Sequence, residues 1–202
     1  MPPKAKFTRE EIIEAAFQIA RSGGLDMITA RELGKRLGSS ARPIFTVFES
    51  MEEVKAAVVA RAKGLYRHYV ENGLQKTTAF KGVGIAYITF AIEEPKLFAL
   101  LFMNAGSVMD TGEEQTDVNA ILPVIEASYE EILQSVQGSY GLSREAADRI
   151  YQHLWTYTHG IATMCATKLC SYTMEEIGDR MTEVFKSLMI VEKMGESKND
   201  KN

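Results

Sequence analysis

The sequence has no unbroken apolar run of about 18 residues, so it contains no candidate membrane span. Its opening, MPPKAKFTRE, lacks the apolar stretch of a secretory signal, and a cytoplasmic location is expected. Cysteine is scarce: Cys165 and Cys170 are too few for a disulfide framework and suit a reducing compartment. Proline is scarce too, at 5 of 202 residues, and the 15 glycines leave long segments uninterrupted, which favours helices. No segment alternates cleanly between apolar and polar residues, and no internal repeat is visible. No nucleophile elbow, P-loop or Rossmann glycine pattern occurs, so nothing points to an enzyme or a nucleotide cofactor. His153, His159, Cys165 and Cys170 are spaced six, six and five residues apart, unlike closed zinc patterns. At helical periodicity they also scatter around the axis, so neither metal nor cofactor is expected.

What is present is an apolar content of 46% with 25% charged residues, enough for a sizeable core. The charge is uneven. Residues 1–64 carry 11 Lys and Arg against 8 Asp and Glu, whereas the remainder carries 12 against 19. A basic front on an acidic body directs only the front toward a polyanion.

Four Ser or Thr residues are followed three positions later by Glu: Thr8–Glu11, Thr29–Glu32, Ser50–Glu53 and Thr173–Glu176. In such a box the hydroxyl accepts from the N3 amide while the Glu accepts from the cap amide. Apolar staples reinforce three of them, Phe7 with Ile12, Ile28 with Leu33 and Tyr172 with Ile177. The signals predict helices over about 8–22, 29–37, 40–45 and 50–72, with Gly23-Gly24 and Gly38 as stops. Further helices are expected near 76–91, 95–105, 118–137, 143–170 and 174–192, with Pro95 in a first turn, Pro123 starting or kinking its helix, and a frayed tail GESKNDKN. The segment 106–117 reads as a loop.

The helix over 29–37, a glycine turn and a short helix over 40–45 form a helix-turn-helix pattern. In that motif the second helix presents its first residues to base edges in the major groove. Ser39 or Ser40 would cap it, and Ala41, Arg42 and Pro43 fall in its first turn. Arg42 can fork onto a guanine edge, and Ala41 and Pro43 can meet a thymine methyl. Phe45 and Thr46 follow on the same segment, and Ile44, Phe45 and Phe48 supply apolar anchoring. Lys4, Lys6, Arg9, Thr29, Arg31 and Lys55 surround it as candidate phosphate contacts.

The segment FTREEIIEAAFQIARSGGLDMITARELGKRLGSSARPIFTVFESMEEVKAAVV resembles the N-terminal domain of TetR-family transcriptional repressors over residues 7–60. The resemblance rests on Ile-x-x-Ala-Ala-Phe, the Gly-Gly-Leu turn, Thr29, Leu33-x-x-x-Leu37-Gly38 and Ile44-Phe45-x-x-Phe48. Phe45, Val47 and Met51 stand where that family usually has tyrosine, often histidine and lysine, so three polar backbone contacts are missing. The resemblance implies an all-α chain with a three-helix DNA-binding domain over 1–50 and a connecting helix over about 50–72. An effector-binding and dimerisation domain would follow over 73–202. It implies a homodimer on a double-stranded DNA operator, released by a small effector.

For the body, the middle of the chain is rich in soft, large residues suited to a mostly apolar cavity: Tyr87, Phe90, Phe98, Leu101, Phe102, Met103, Met109, Tyr129, Trp155, His159 and Met164. Trp155-x-x-x-His159-Gly160 is similar to a signature of one C-terminal subgroup of the family. Trp155 and His159 would share a helix face, with His159 either a ligand contact or a satisfied core histidine. Apolar stripes on the last two helices, Ile150, Leu154, Tyr157, Ile161 and Cys165 with Ile177, Met181, Val184, Phe185, Leu188 and Val191, are the expected dimer face. The alternative reading is a protein-interaction module on the same fold whose DNA affinity has been lost.

Overall fold

The computed structural model describes residues 6–103 and 128–199 of the chain. Among them are eight α-helices and no strand: α1 (Arg9–Gly23), α2 (Ala30–Arg36), α3 (Met51–Leu74), α4 (Ala79–Glu93), α5 (Pro95–Phe102), α6 (Tyr129–Tyr140), α7 (Arg144–Ala166) and α8 (Met174–Asn199). The expected loop over 106–117, the helix up to residue 127 with Pro123, and Lys4 and Met109 lie outside the described residues.

The caps explain where these helices begin. Thr8 and Thr173 make full reciprocal boxes with Glu11 and Glu176. Thr29 and Ser50 accept from the Glu32 and Glu53 amides at 3.2 Å. At Ser50 the Glu reaches one residue further back, accepting from the Glu49 N–H at 2.8 Å. Ser143 caps α7 by accepting from Ala146. Pro95 sits at the start of α5, where a missing N–H costs no helical bond. The tail continues α8 to Asn199, beyond the expected end near 192.

The chain divides into two compact units. The first comprises residues up to Leu65 together with a segment that begins at Glu94 and includes α5. Its interior is Ile12, Ala16, Phe17, Ile28, Leu33, Ile44, Phe48, Val54 and Val58 joined by Leu97, Phe98, Leu100 and Leu101. α5 packs on α1, and Arg21 grips the buried Glu94 with Nε at 2.7 Å and a second nitrogen on the other oxygen. The expected boundary therefore changes: α5 belongs with the front, because its apolar face is spent on α1.

The second unit runs from Tyr66 to Glu93 and resumes with α6, α7 and α8. α4 is its hub and packs against α6, α7 and α8. α3 and α4 meet where glycine faces glycine: a Cβ on Gly73 would lie 2.7 Å from the Gly82 carbonyl oxygen, and one on Gly82 2.2 Å from that of Gly73. Arg149 pins α7 to α8 through two bonds to Glu192, at 2.9 and 2.7 Å.

Candidate DNA-reading turn and effector cavity

After α2 the chain turns at Gly38, whose φ of 63° lies in the left-handed region that favours glycine. The Ser39 N–H then donates to the Gly34 carbonyl at 2.9 Å, folding the turn back onto α2. Gly34 permits that approach: a Cβ there would stand 3.0 Å from the Ala41 nitrogen. The helix expected over 40–45 is instead a tight 3₁₀ turn at Ile44–Thr46, entered through Ala41–Pro43. Its bonds run Ile44 to Ala41, Thr46 to Pro43 and Val47 to Ile44, at 3.0–3.3 Å. Pro43 contributes no N–H to this segment, and these bonds run between residues three apart.

The turn is fixed from below and open above. Ile44 and Phe48 are buried, whereas Phe45 is 48% exposed. Arg42, Ser40 and Thr46 are exposed; Ser39, Ala41 and Pro43 are half-buried. Among the described residues, Arg42, Arg31, Arg36 and Lys35 make no ion pair, so their charges face solvent unneutralised. Lys6 donates to the Ser39 hydroxyl at 3.0 Å, which brings the N-terminal arm to the turn. Arg9 is engaged otherwise: it lies 4.2 Å over the Phe48 ring and pairs with Glu53 at 2.8 Å. Two hydrogen bonds, first from the Glu49 N–H and then from Arg9, hold the Glu53 carboxyl below the usual carboxylate range. Arg9 thus clamps α1 to α3, and Thr29 spends its hydroxyl on capping. Lys55 is half-buried in the first turns of α3.

In the second unit, α4, α7 and α8 enclose two adjoining chambers. The inner one has a volume of about 20 Å³, lined by Tyr66, Tyr87, Tyr151, Trp155, Thr158 and the bare face of Gly84. That is room for about one water. The outer one, about 220 Å³, is bordered by Thr78, Lys81, Tyr140, Thr182 and Phe185. Phe80, Leu154 and Met181 belong to both. A wider cleft of about 500 Å³ beside the Gly73–Gly82 crossing carries Lys76 and, again, Lys81. Trp155 and His159 stack on one face of α7, ring centroids 4.9 Å apart and 14° from parallel. His159 Nδ1 shares a 2.8 Å hydrogen bond with the Tyr87 hydroxyl. Burial holds the His159 imidazole below its ordinary value, so it is neutral at pH 7.

Residues 80–186, which span α4 to α8, match the profile of the tetracyclin repressor-like C-terminal domain. The chain belongs to the TetR family. A solved TetR-family transcriptional regulator from Mesorhizobium loti shares its fold, with a TM-score of 0.54 at 17% identity over 92% of this chain and 98% of that one. No curated protein matches the sequence. No helix among the described residues is long and apolar enough to cross a membrane. No cluster of metal ligands occurs among them either.

Several expected cavity residues of this TetR-family chain lie elsewhere. Phe98, Leu101 and Phe102 sit on α5 in the first unit, and Met103 is exposed beyond it. Phe90 is buried against Tyr66 and Tyr69. Tyr129 donates to Asp148 and packs on Tyr151, with its hydroxyl pKa raised by burial and then by that carboxylate. Met164 caps the end of α7, its carbonyl accepting from Leu169 at 2.9 Å. Of the expected group, Tyr87 and Trp155 line the inner chamber, with His159 touching both. Part of the stripes expected at a dimer face lies inside the unit. Ile150, Leu154, Ile161, Ile177 and Met181 are buried within the unit, and Leu154 and Met181 line its chambers. Tyr157, Val184, Phe185 and Leu188 are half-buried, Phe185 being packed on Tyr140 and Phe80. The exposed large apolar side chains among the described residues of α8 are Met174, at 44%, and Ile190, Val191 and Met194, at 60%, 65% and 61%. A helical stripe reports one apolar face without saying what covers it, and here α4 covers much of it. Gly34, Gly84 and Phe80 escaped the sequence reading. The signal for Gly34 was a glycine inside a predicted helix, and for Gly84 a second glycine in the apolar run of α4.

Proposed function

We propose that this TetR-family regulator is a homodimeric repressor that reads double-stranded DNA through the turn at 39–46 and leaves its operator when a small, mostly apolar molecule occupies the α4–α7–α8 chambers. The observation that carries the DNA reading is Arg42: an exposed, unpaired guanidinium on a rigid turn, flanked by exposed Ser40 and Thr46. A guanidinium so placed can donate two parallel bonds to a guanine edge. Arg31, Lys35, Lys6 and the N-terminal lysines supply phosphate contacts that set position and not sequence. The exposed Phe45 adds apolar contact where a hydroxyl would have reached a phosphate.

The dimer places two such turns on one duplex about one helical turn apart, and Ile190, Val191 and Met194 with the half-buried Leu188 form its contact strip. The effector acts by selection: it shifts the dimer between two states only by its differential affinity for them. The pure protein, titrated against fluorescent duplexes tiled upstream of its own gene at low and moderate salt, is expected to bind one palindromic site tightly. Affinity should fall steeply with salt as counterions are released. Salt-independent or absent binding to every duplex, followed by a null selection from random duplexes, would reject the reading in favour of a protein-interaction module.

A further inference from the structure

We propose that the cavity takes an amphiphilic monoanion, with its carboxylate on Lys81 in the outer chamber and its apolar tail entering the inner chamber past Met181. The proposal rests on the effector reading above and names the ligand's chemistry.

The argument begins with the partition. Phe80, Leu154 and Met181 separate the chambers, but they are not equally movable. Phe80 is held edge-on by Tyr151 and Phe185, at centroid distances of 6.0 and 5.8 Å. Leu154 is a branched side chain, buried on α7. Met181 has an unbranched thioether with three rotatable bonds. Its end lies where Gly84 has no side chain: a Cβ on Gly84 would stand 2.1 Å from the Met181 Cε. The methyl group therefore fills the dent left by the glycine. When Met181 rotates away, that dent is added to the inner chamber, and the two chambers join. Joining them and opening the dent enlarges the outer chamber of about 220 Å³ toward the roughly 300 Å³ at which ligand pockets begin.

The head group follows from Lys81. Its Nζ donates to the Thr182 hydroxyl at 3.0 Å and rests over Gly178, where a Cβ would be 3.3 Å away. Thr182 in turn donates to the Gly178 carbonyl at 2.6 Å, so its hydroxyl is committed to accepting from the lysine. No described carboxylate lies within ion-pair distance of Lys81, and the residue is half-buried. An ammonium has three donors, and Thr182 takes one. A single cation with two free donors at the mouth of an apolar chamber fits one carboxylate, whose charge it balances and whose oxygens accept both. Beyond Lys81 and Thr182 the lining is mostly aromatic and aliphatic, interrupted by Thr78 and Thr158, which fits a hydrocarbon tail.

The test uses octanoate, with uncharged octanamide and 1-octanol as matched probes. The chain has one tryptophan, Trp155, and it lines the inner chamber, so its emission reports a tail there. Octanoate is expected to shift that emission and to bind roughly tenfold or more tightly than octanamide, the value of a charge-assisted bond. Lys81→Gln should erase that preference, with native Trp155 emission before any probe is added showing that the variant is folded. Met181→Phe, a rigid plug, should abolish the emission shift. Equal affinity for octanoate and octanamide, or a preference that survives Lys81→Gln, overturns the anion assignment. An emission shift that persists in Met181→Phe overturns the partition. Operator release, measured in parallel, separates the two readings. If 1-octanol releases the duplex and octanoate does no better, the ligand class fails and the effector reading stands. If octanoate binds through Lys81 without changing operator affinity, the site stands and the effector reading fails.

Discussion

The N-terminal unit and the cavity-bearing unit are both helical, yet their sequences specify them differently. The front is held by short-range polar devices: Thr8, Thr29 and Ser50 set helix starts, Gly24 and Gly38 set stops, and Gly34 sets the fold-back. The body is held by aromatic and aliphatic contacts between residues far apart in sequence, such as Phe80 with Phe185 and Tyr87 with His159. A cap or a positive-φ glycine has one local solution, so it can be read from a few residues. A phenylalanine in an apolar segment can face a cavity, a core or a partner with nearly equal local energy. The comparison teaches that polar punctuation fixes place, whereas apolar content fixes only that something is buried.

The largest expected effect comes from breaking the front at its closest approach. Gly34→Val would press a branched side chain against the Ala41 backbone and cost about 1–3 kcal/mol or more. Thermal melting should fall and operator binding should disappear, while Trp155 emission stays native. An unchanged melt would mean that the turn does not depend on this contact.

Arg42→Ala is expected to cost about 1–3 kcal/mol of operator affinity and to relax the preference for guanine at one position. It should leave folding intact, since Arg42 has no described ion pair. A neutral result on the true operator would remove Arg42 from the reading set. Thr29→Ala tests the punctuation itself. Losing that cap should lower stability by about 1 kcal/mol in denaturant titration, an effect a purely apolar account of the front does not predict.

In the body the matching probe is pH. His159 is held below the ordinary histidine value by burial, so the unfolded chain takes up a proton more readily than the folded one. The stability from neutral His159 is complete above the unfolded value and is lost as pH falls from there through the lower folded value. Melting temperature should therefore decline below about pH 6.5, and His159→Gln should flatten that part of the curve. The smallest effect belongs to Arg31→Ala, which should weaken all duplexes alike and lower the salt slope by about 1. A sequence-dependent loss would move Arg31 from positioning to reading.

The sequence by itself determined the helical class, most helix starts, the stops after α1 and α2, and the regulator family. Each of these rests on residues within a few positions of one another, where the local physics of capping, φ restriction and periodicity decides. Only the tertiary structure decided that the segment after Gly38 holds a 3₁₀ turn, that α5 packs with α1, and that Met181 and Leu154 line the chambers. It also decided that Arg9 is a clamp and that Lys81 meets no described carboxylate. Those outcomes depend on which surfaces reach one another across tens of residues, and an apolar stripe or a lone cation carries no record of what will come to lie against it.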